Sequence, residues 1–140
     1  MALNKYAREY EHNSVFTATP EELTFMLYSS AVKFIKQARV AIGDKLYDKG
    51  NENCIKAQNI IHELMSTLDM KYDISKQLYN LYDYIYRRLV EGNLKKDDAI
   101  LMEAQNFVEE LRDTWEQAMR IAKRNNAGVP ARRINLVNEV

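Results

Sequence analysis

The stretch Thr19–Ile42, TPEELTFMLYSSAVKFIKQARVAI, is the part of the chain with the least freedom in what it can become. Thr19 is placed to cap a helix, and Pro20 suits the first helical position, where a missing N–H is no loss. Glu22, three residues after Thr19, completes a capping box. The carboxylates of Glu21 and Glu22 suit the positive end of the helix dipole. Apolar residues then recur at three and four: Leu23, Met26, Leu27, Ala31, Phe34, Ala38 and Ala41 form one stripe. Phe25, Tyr28, Val32, Ile35 and Ile42 form a second beside it. A helix on one side of a core needs an apolar stripe of about 100°. Two stripes exceed that, so the side carrying Tyr28, Val32 and Ile35 reads as a wall for a partner.

Three further segments keep the helical period. Gly43 supplies a stop for the first helix, and the polar run DKLYDKGNEN holds Gly50 in a predicted turn, with Leu46 and Tyr47 covering one end of the core. A second helix is expected over about 51–68 on the stripe Cys54, Ala57, Ile61, Leu64 or Met65, and Leu68. A third follows over about 74–91, with Leu78, Leu81, Ile85 and Leu89 inward and Gly92 at its end. Asp97 can cap a fourth, to about 123, whose stripe runs from Ile100 and Leu101 through Phe107 and Val108 to Trp115. Four amphipathic helices with short connections predict an all-α chain, an antiparallel four-helix bundle. The expected organisation is an N-terminal segment and linker over 1–18, the bundle over 19–124 and a flexible tail over 125–140. At 140 residues this is one domain with room for a real core.

Tyrosine is used heavily, nine times, and its amphipathic ring suits surfaces that are covered on binding. Tyr79, Tyr82 and Tyr86 share one side of the third helix by spacing, with Tyr84 elsewhere. They either pack the bundle edge or meet a partner. Arg87 and Arg88 either grip a partner's carboxylate or carbonyls or cap their own helix end. Leu3, Tyr6 and Tyr10 lie at spacings of three and four in a segment too short to be a stable helix alone. That segment either frays or docks reversibly on an apolar groove as a lid. The candidate partner-binding residues are therefore Tyr28, Val32, Ile35, Ile61, Leu64, Tyr79, Tyr82, Tyr86 and Arg87, and the candidate lid residues Leu3, Tyr6 and Tyr10.

Catalytic readings find little support. Twenty basic residues balance twenty acidic ones, which argues against a wrapping grip on nucleic acid. A di-iron bundle takes Glu-x-x-His from two helices, and of the two histidines only His62 lies on a predicted bundle helix. One cysteine and two histidines cannot build a usual zinc site. Phosphate-binding glycine loops and a nucleophile elbow are absent. Cys54, being single, makes no intramolecular disulfide, which fits a reducing compartment. No segment approaches the roughly 20 apolar residues of a membrane helix, and MALNKYAREYEHN has no apolar signal core. The expectation is a cytosolic protein without catalytic, cofactor or metal sites and without membrane insertion.

Three segments in order, TATPEELTFMLYSSAVKF, NENCIKAQNIIHELMSTLD and YDYIYRRLVEGNLKKD, with RDTWEQA at 112–118, resemble the bacterial flagellar secretion chaperones, the FliS family. The likeness spans about residues 4–120. It departs at Ser29 and Ser30, where the family often has Asp-Gly, and at Gly92, where it often has Ala. The resemblance implies a small four-helix bundle that binds the C-terminal segment of newly made flagellin in the cytoplasm. It also implies that binding blocks premature polymerisation, that export-gate components are further partners, and that the N-terminal segment covers part of the groove. Without it, the residues leave open a structural or adaptor bundle that self-associates through the same surface.

Overall fold

A computed structural model describes residues 17–128 as four helices: α1 (Pro20–Gly43), α2 (Tyr47–Ser66), α3 (Asp73–Lys95) and α4 (Asp98–Gly128). No strand occurs among the described residues. The start of α1 is as its sequence dictates: the Glu22 N–H donates to the Thr19 Oγ1 at 3.1 Å, with Pro20 in the first turn. Candidate lid residues Leu3, Tyr6 and Tyr10 and most of the expected tail lie outside the described residues.

Side-chain pairings define the topology. Arg39 near the end of α1 meets Asp98 at the start of α4, with Nε–Oδ1 2.7 Å and Nη2–Oδ2 3.1 Å. Trp115, late in α4, donates to the Glu21 carbonyl at the start of α1 at 2.9 Å. These two helices are therefore antiparallel. The Asn93–Asn51 bond (2.8 Å) and the His62–Tyr86 ring contact (6.5 Å) set α2 antiparallel to α3. Each helix packs on its two sequence or ring neighbours, giving an antiparallel four-helix bundle. The Arg39 fork holds the Asp98 carboxyl below its usual range by hydrogen bonding. Its modest, solvent-screened contribution is present above that range and lost as pH falls through the lowered pKa.

The core runs through Ile35 of α1, Ile61 of α2, Ile85 and Leu89 of α3, and Leu101 and Val108 of α4, all fully enclosed. Both apolar stripes of α1 are used here. Ala31 and Ala38 from one and Tyr28, Val32 and Ile35 from the other are all buried. A bundle helix faces two neighbours and the diagonal helix at once, so it needs a wider stripe than a helix lying on one sheet or one partner. Phe34 is half-buried, its ring approached by the ammonium groups of Lys33 at 4.8 Å and Lys56 at 5.4 Å.

Two glycines depart from the expected roles. Gly50 sits inside α2, which begins at Tyr47 rather than near 51, and Gly92 sits inside α3, which runs on to Lys95. Both allow close helix approach. A Cβ at Gly50 would stand 2.8 Å from Ile42 Cγ1, and one at Gly92 would stand 2.7 Å from Leu101 Cδ2. Nor does a glycine supply the left-handed residue that ends α1 or α3. Lys45 (φ 62°) and Lys96 (φ 51°) do so. Each ends its helix in a Schellman arrangement, with Leu46 N–H to Ala41 O at 2.8 Å and Asp97 N–H to Gly92 O at 3.0 Å. A residue with a Cβ loses roughly 1–2 kcal/mol in that conformation. Lys45→Gly should therefore raise stability by about 0.5–1 kcal/mol after the larger unfolded-state entropy of glycine is counted, read as a higher melting temperature by circular dichroism. At the other end, α4 continues to Gly128, beyond its expected limit near 123.

Candidate partner-binding surface

Helix α3 is tyrosine-rich on several sides, and packing sorts those rings into different roles. Tyr82 points into the core at 2 % exposure, where its hydroxyl meets that of Tyr28 across the bundle diagonal at 2.5 Å. Burial pushes both phenols to higher pKa, and for Tyr82 the bond to Tyr28 adds to the rise. Both therefore stay neutral, each giving the other a polar partner in an apolar interior. Trp115 packs edge-on to Tyr28 at 6.4 Å.

The outer tyrosines lie on either side of that inward one. Tyr79 is 41 % exposed, and Tyr86 is half-buried against the core with His62 of α2 beside it. Tyr84 faces α4: its hydroxyl donates to Glu103 Oε1 at 2.7 Å, and its ring meets Phe107 edge-on at 5.9 Å. Next to this pair a groove of about 370 Å³ is lined by Met102, Glu103, Asn106 and Phe107. Methionine and aromatic rings at a partly open groove are adaptable, largely apolar contacts for another chain.

The two arginines also resolve. Arg87 is exposed and pairs with Asp83 one turn back at 2.9 Å. Arg88 ties α3 to α4, with Nη1–Oε2 of Glu91 at 2.8 Å and Nε–Oε1 of Glu103 at 2.9 Å. Neither caps the helix end, which lies further on at Lys95.

Of the nine predicted partner-binding residues, six lie in the core: Tyr28, Val32, Ile35, Ile61, Leu64 and Tyr82. As the helices pack here, these six offer no surface to a partner, because the neighbouring helices already fill their contacts. Tyr79, Tyr86 and Arg87 remain at the surface. By spacing alone Tyr84 falls off the shared tyrosine side, and Met102 has no expected part. Met102 stands 45 % exposed on α4, and the signal that could have found it is an apolar side chain off the buried stripe of its helix.

Cys54 lies in the core rather than at this surface. Burial pushes the Cys54 thiol up to about 11, so it is protonated at neutral pH. Among the described residues no group of three His, Cys, Asp or Glu side chains comes together to hold a metal ion. Among them, too, no helix is long and apolar enough to cross a membrane.

Comparison with known proteins decides the family. The family model described as "Flagellar protein FliS" matches residues 2–122. The chain belongs to the FliS family of flagellar secretion chaperones. It is 44 % identical over 128 residues to the flagellar secretion chaperone FliS of Bacillus subtilis (strain 168), covering 91 % of this chain and 96 % of that protein. Against the FliS of Salmonella typhimurium it is 30 % identical over 118 residues, covering 82 % and 87 %. Against that of Escherichia coli (strain K12) it is 26 % identical over 117 residues, covering 81 % and 86 %. As a FliS-family chain it is a chaperone of flagellar secretion, and the matched span takes in all of α1–α3 and α4 as far as residue 122.

Proposed function

We propose that this chain is a cytosolic export chaperone that binds the C-terminal segment of flagellin across the outer face of α3. The observation that carries this is the surface left on α3 after the core is full: Tyr79, Arg87, Tyr86 beside His62 of α2, and Tyr84 beside Phe107 of α4 and its groove. A flagellin terminus polymerises by burying an amphipathic helix against a neighbour, so a chaperone holds it back by offering that helix another apolar, aromatic face. Ordering a disordered client costs several kcal/mol, which calls for contact along most of α3 rather than one pocket. The chaperone does this as a binding protein, with no catalytic step, and hands the client to the export gate. The six core residues act here as scaffold that sets the spacing of the outer rings.

Titrating a flagellin C-terminal segment into the full chain should give saturable one-to-one binding with a gain of helical circular dichroism beyond the sum of the parts. Helix gain without binding, or binding without helix gain, would count against this mode. The lid reading of Leu3, Tyr6 and Tyr10 belongs to the same proposal. If the N-terminal segment competes for the face, deleting residues 1–16 removes an internal ligand and raises apparent affinity or association rate. Stopped-flow association indistinguishable from that of the full chain would remove the lid from the account.

A further inference from the structure

At the corner where α1 turns into α2, several local choices run against stability. Lys45 is held in the left-handed region. Leu46 occupies the N-cap of α2 with no side-chain cap bond, where Ser, Asp or Asn would be better by about 1 kcal/mol. Leu46 and Tyr47, expected to close the core, stand about half exposed instead, and Val40 on the last turns of α1 is 65 % exposed. Here opens a cleft of about 500 Å³, whose apolar lining is Val40, Ala41 and Leu46. The same lining carries Lys36 and Lys49 against a single carboxylate, Asp44. Among the described residues neither lysine has a carboxylate within ion-pair distance. Exposed apolar surface concentrated where local rules are broken marks a place shaped by contact rather than by folding.

We propose that this corner is a second docking surface, for an amphipathic helix of another protein whose apolar ridge is flanked by carboxylates. The apolar lining calls for one or two apolar side chains. The two unpaired ammonium groups select acidic flanks and disfavour basic ones. The cleft is small, so the contact belongs to the weak, transient class. The corner is built from the end of α1 and the first turns of α2, with none of its lining on α3 or α4, so the client face and the corner can be filled at once. This goes beyond client binding and does not depend on it.

The probe is a synthetic helical peptide of roughly four turns with a leucine ridge flanked by glutamates, compared with a twin carrying lysine for every glutamate. Each is titrated into the full isotopically labelled chain and followed by amide chemical shifts. The glutamate peptide should shift amides within residues 36–53 and bind about tenfold tighter than its twin. The charge reversal K36E with K49E should invert that ranking, and saturation with a flagellin C-terminal segment should leave the shifts in place. Equal binding of the twins, or shifts elsewhere or nowhere, would overturn the proposal. So would displacement of the peptide by the flagellin segment, which would make the corner part of the client face. Concentration-dependent shifts at 36–53 in the protein alone would identify a second copy as the occupant and overturn it equally.

Discussion

Truncating Tyr82 to alanine is expected to remove about 3–5 kcal/mol of stability, the range for emptying a buried aromatic position. Orphaning the Tyr28 hydroxyl in the same apolar interior adds about 1–3 kcal/mol. Against a total of 5–15 kcal/mol typical of such domains, this variant should melt more than about 10 °C below the wild type. Thermal unfolding by circular dichroism reads the difference. The milder changes make the cause specific. Tyr82→Phe alone and Tyr28→Phe alone each leave one hydroxyl unpaired and should cost about 1–3 kcal/mol. The double Phe variant leaves none, so its stability should return to within about 1 kcal/mol of the wild type, a coupling that only a direct pair produces. A Tyr82→Ala variant melting within a few degrees of the wild type would show that Tyr82 is not part of the packed interior.

The Tyr28–Tyr82 pair marks the line between what local sequence specifies and what packing decides. The capping residues Thr19, Pro20 and Glu22 act locally, so the start of α1 was legible at once, as were the four helical periods and their antiparallel order. The inner and outer sides of α1 and α3 were harder to separate. Tyr82 and Tyr86 are one turn apart and look alike in sequence, yet only Tyr82 reaches the diagonal partner Tyr28. Periodicity fixes which residues share a stripe, but how much of the stripe is buried depends on how many helices surround it. Gly50 and Gly92 read locally as breaks. Their actual role is lateral room against Ile42 and Leu101, which is visible only when two helices are placed together. Lys45 and Lys96 gave no cue, because lysine carries no preference for the left-handed region they occupy. Arg88 illustrates the same limit: its partner Glu103 is 15 residues away on another helix.

The second large effect concerns the client. Tyr79 and Tyr86 reach the surface of α3, and aromatic anchors at the centre of an interface commonly account for about 2 kcal/mol or more each. Changing both to alanine should therefore weaken binding of a flagellin C-terminal segment by at least about 100-fold. The cost to the fold should be much smaller than for Tyr82, since Tyr79 is exposed and Tyr86 only half-buried. The two experiments separate scaffold from surface: one variant loses much of its stability, the other keeps its stability and loses the client. Adding Arg87→Ala should weaken the complex a little further and reduce its dependence on salt, as expected for a charge at an interface rim.

The most direct measurement is isothermal titration of a flagellin C-terminal segment into the wild-type chain and into the Tyr79→Ala, Tyr86→Ala variant, with circular dichroism confirming that both are folded. The outer face of α3 as client surface predicts saturable binding to the wild type and a loss of at least about 100-fold in the folded variant. Wild-type affinity in a variant that retains its helices and its cooperative melt would contradict it.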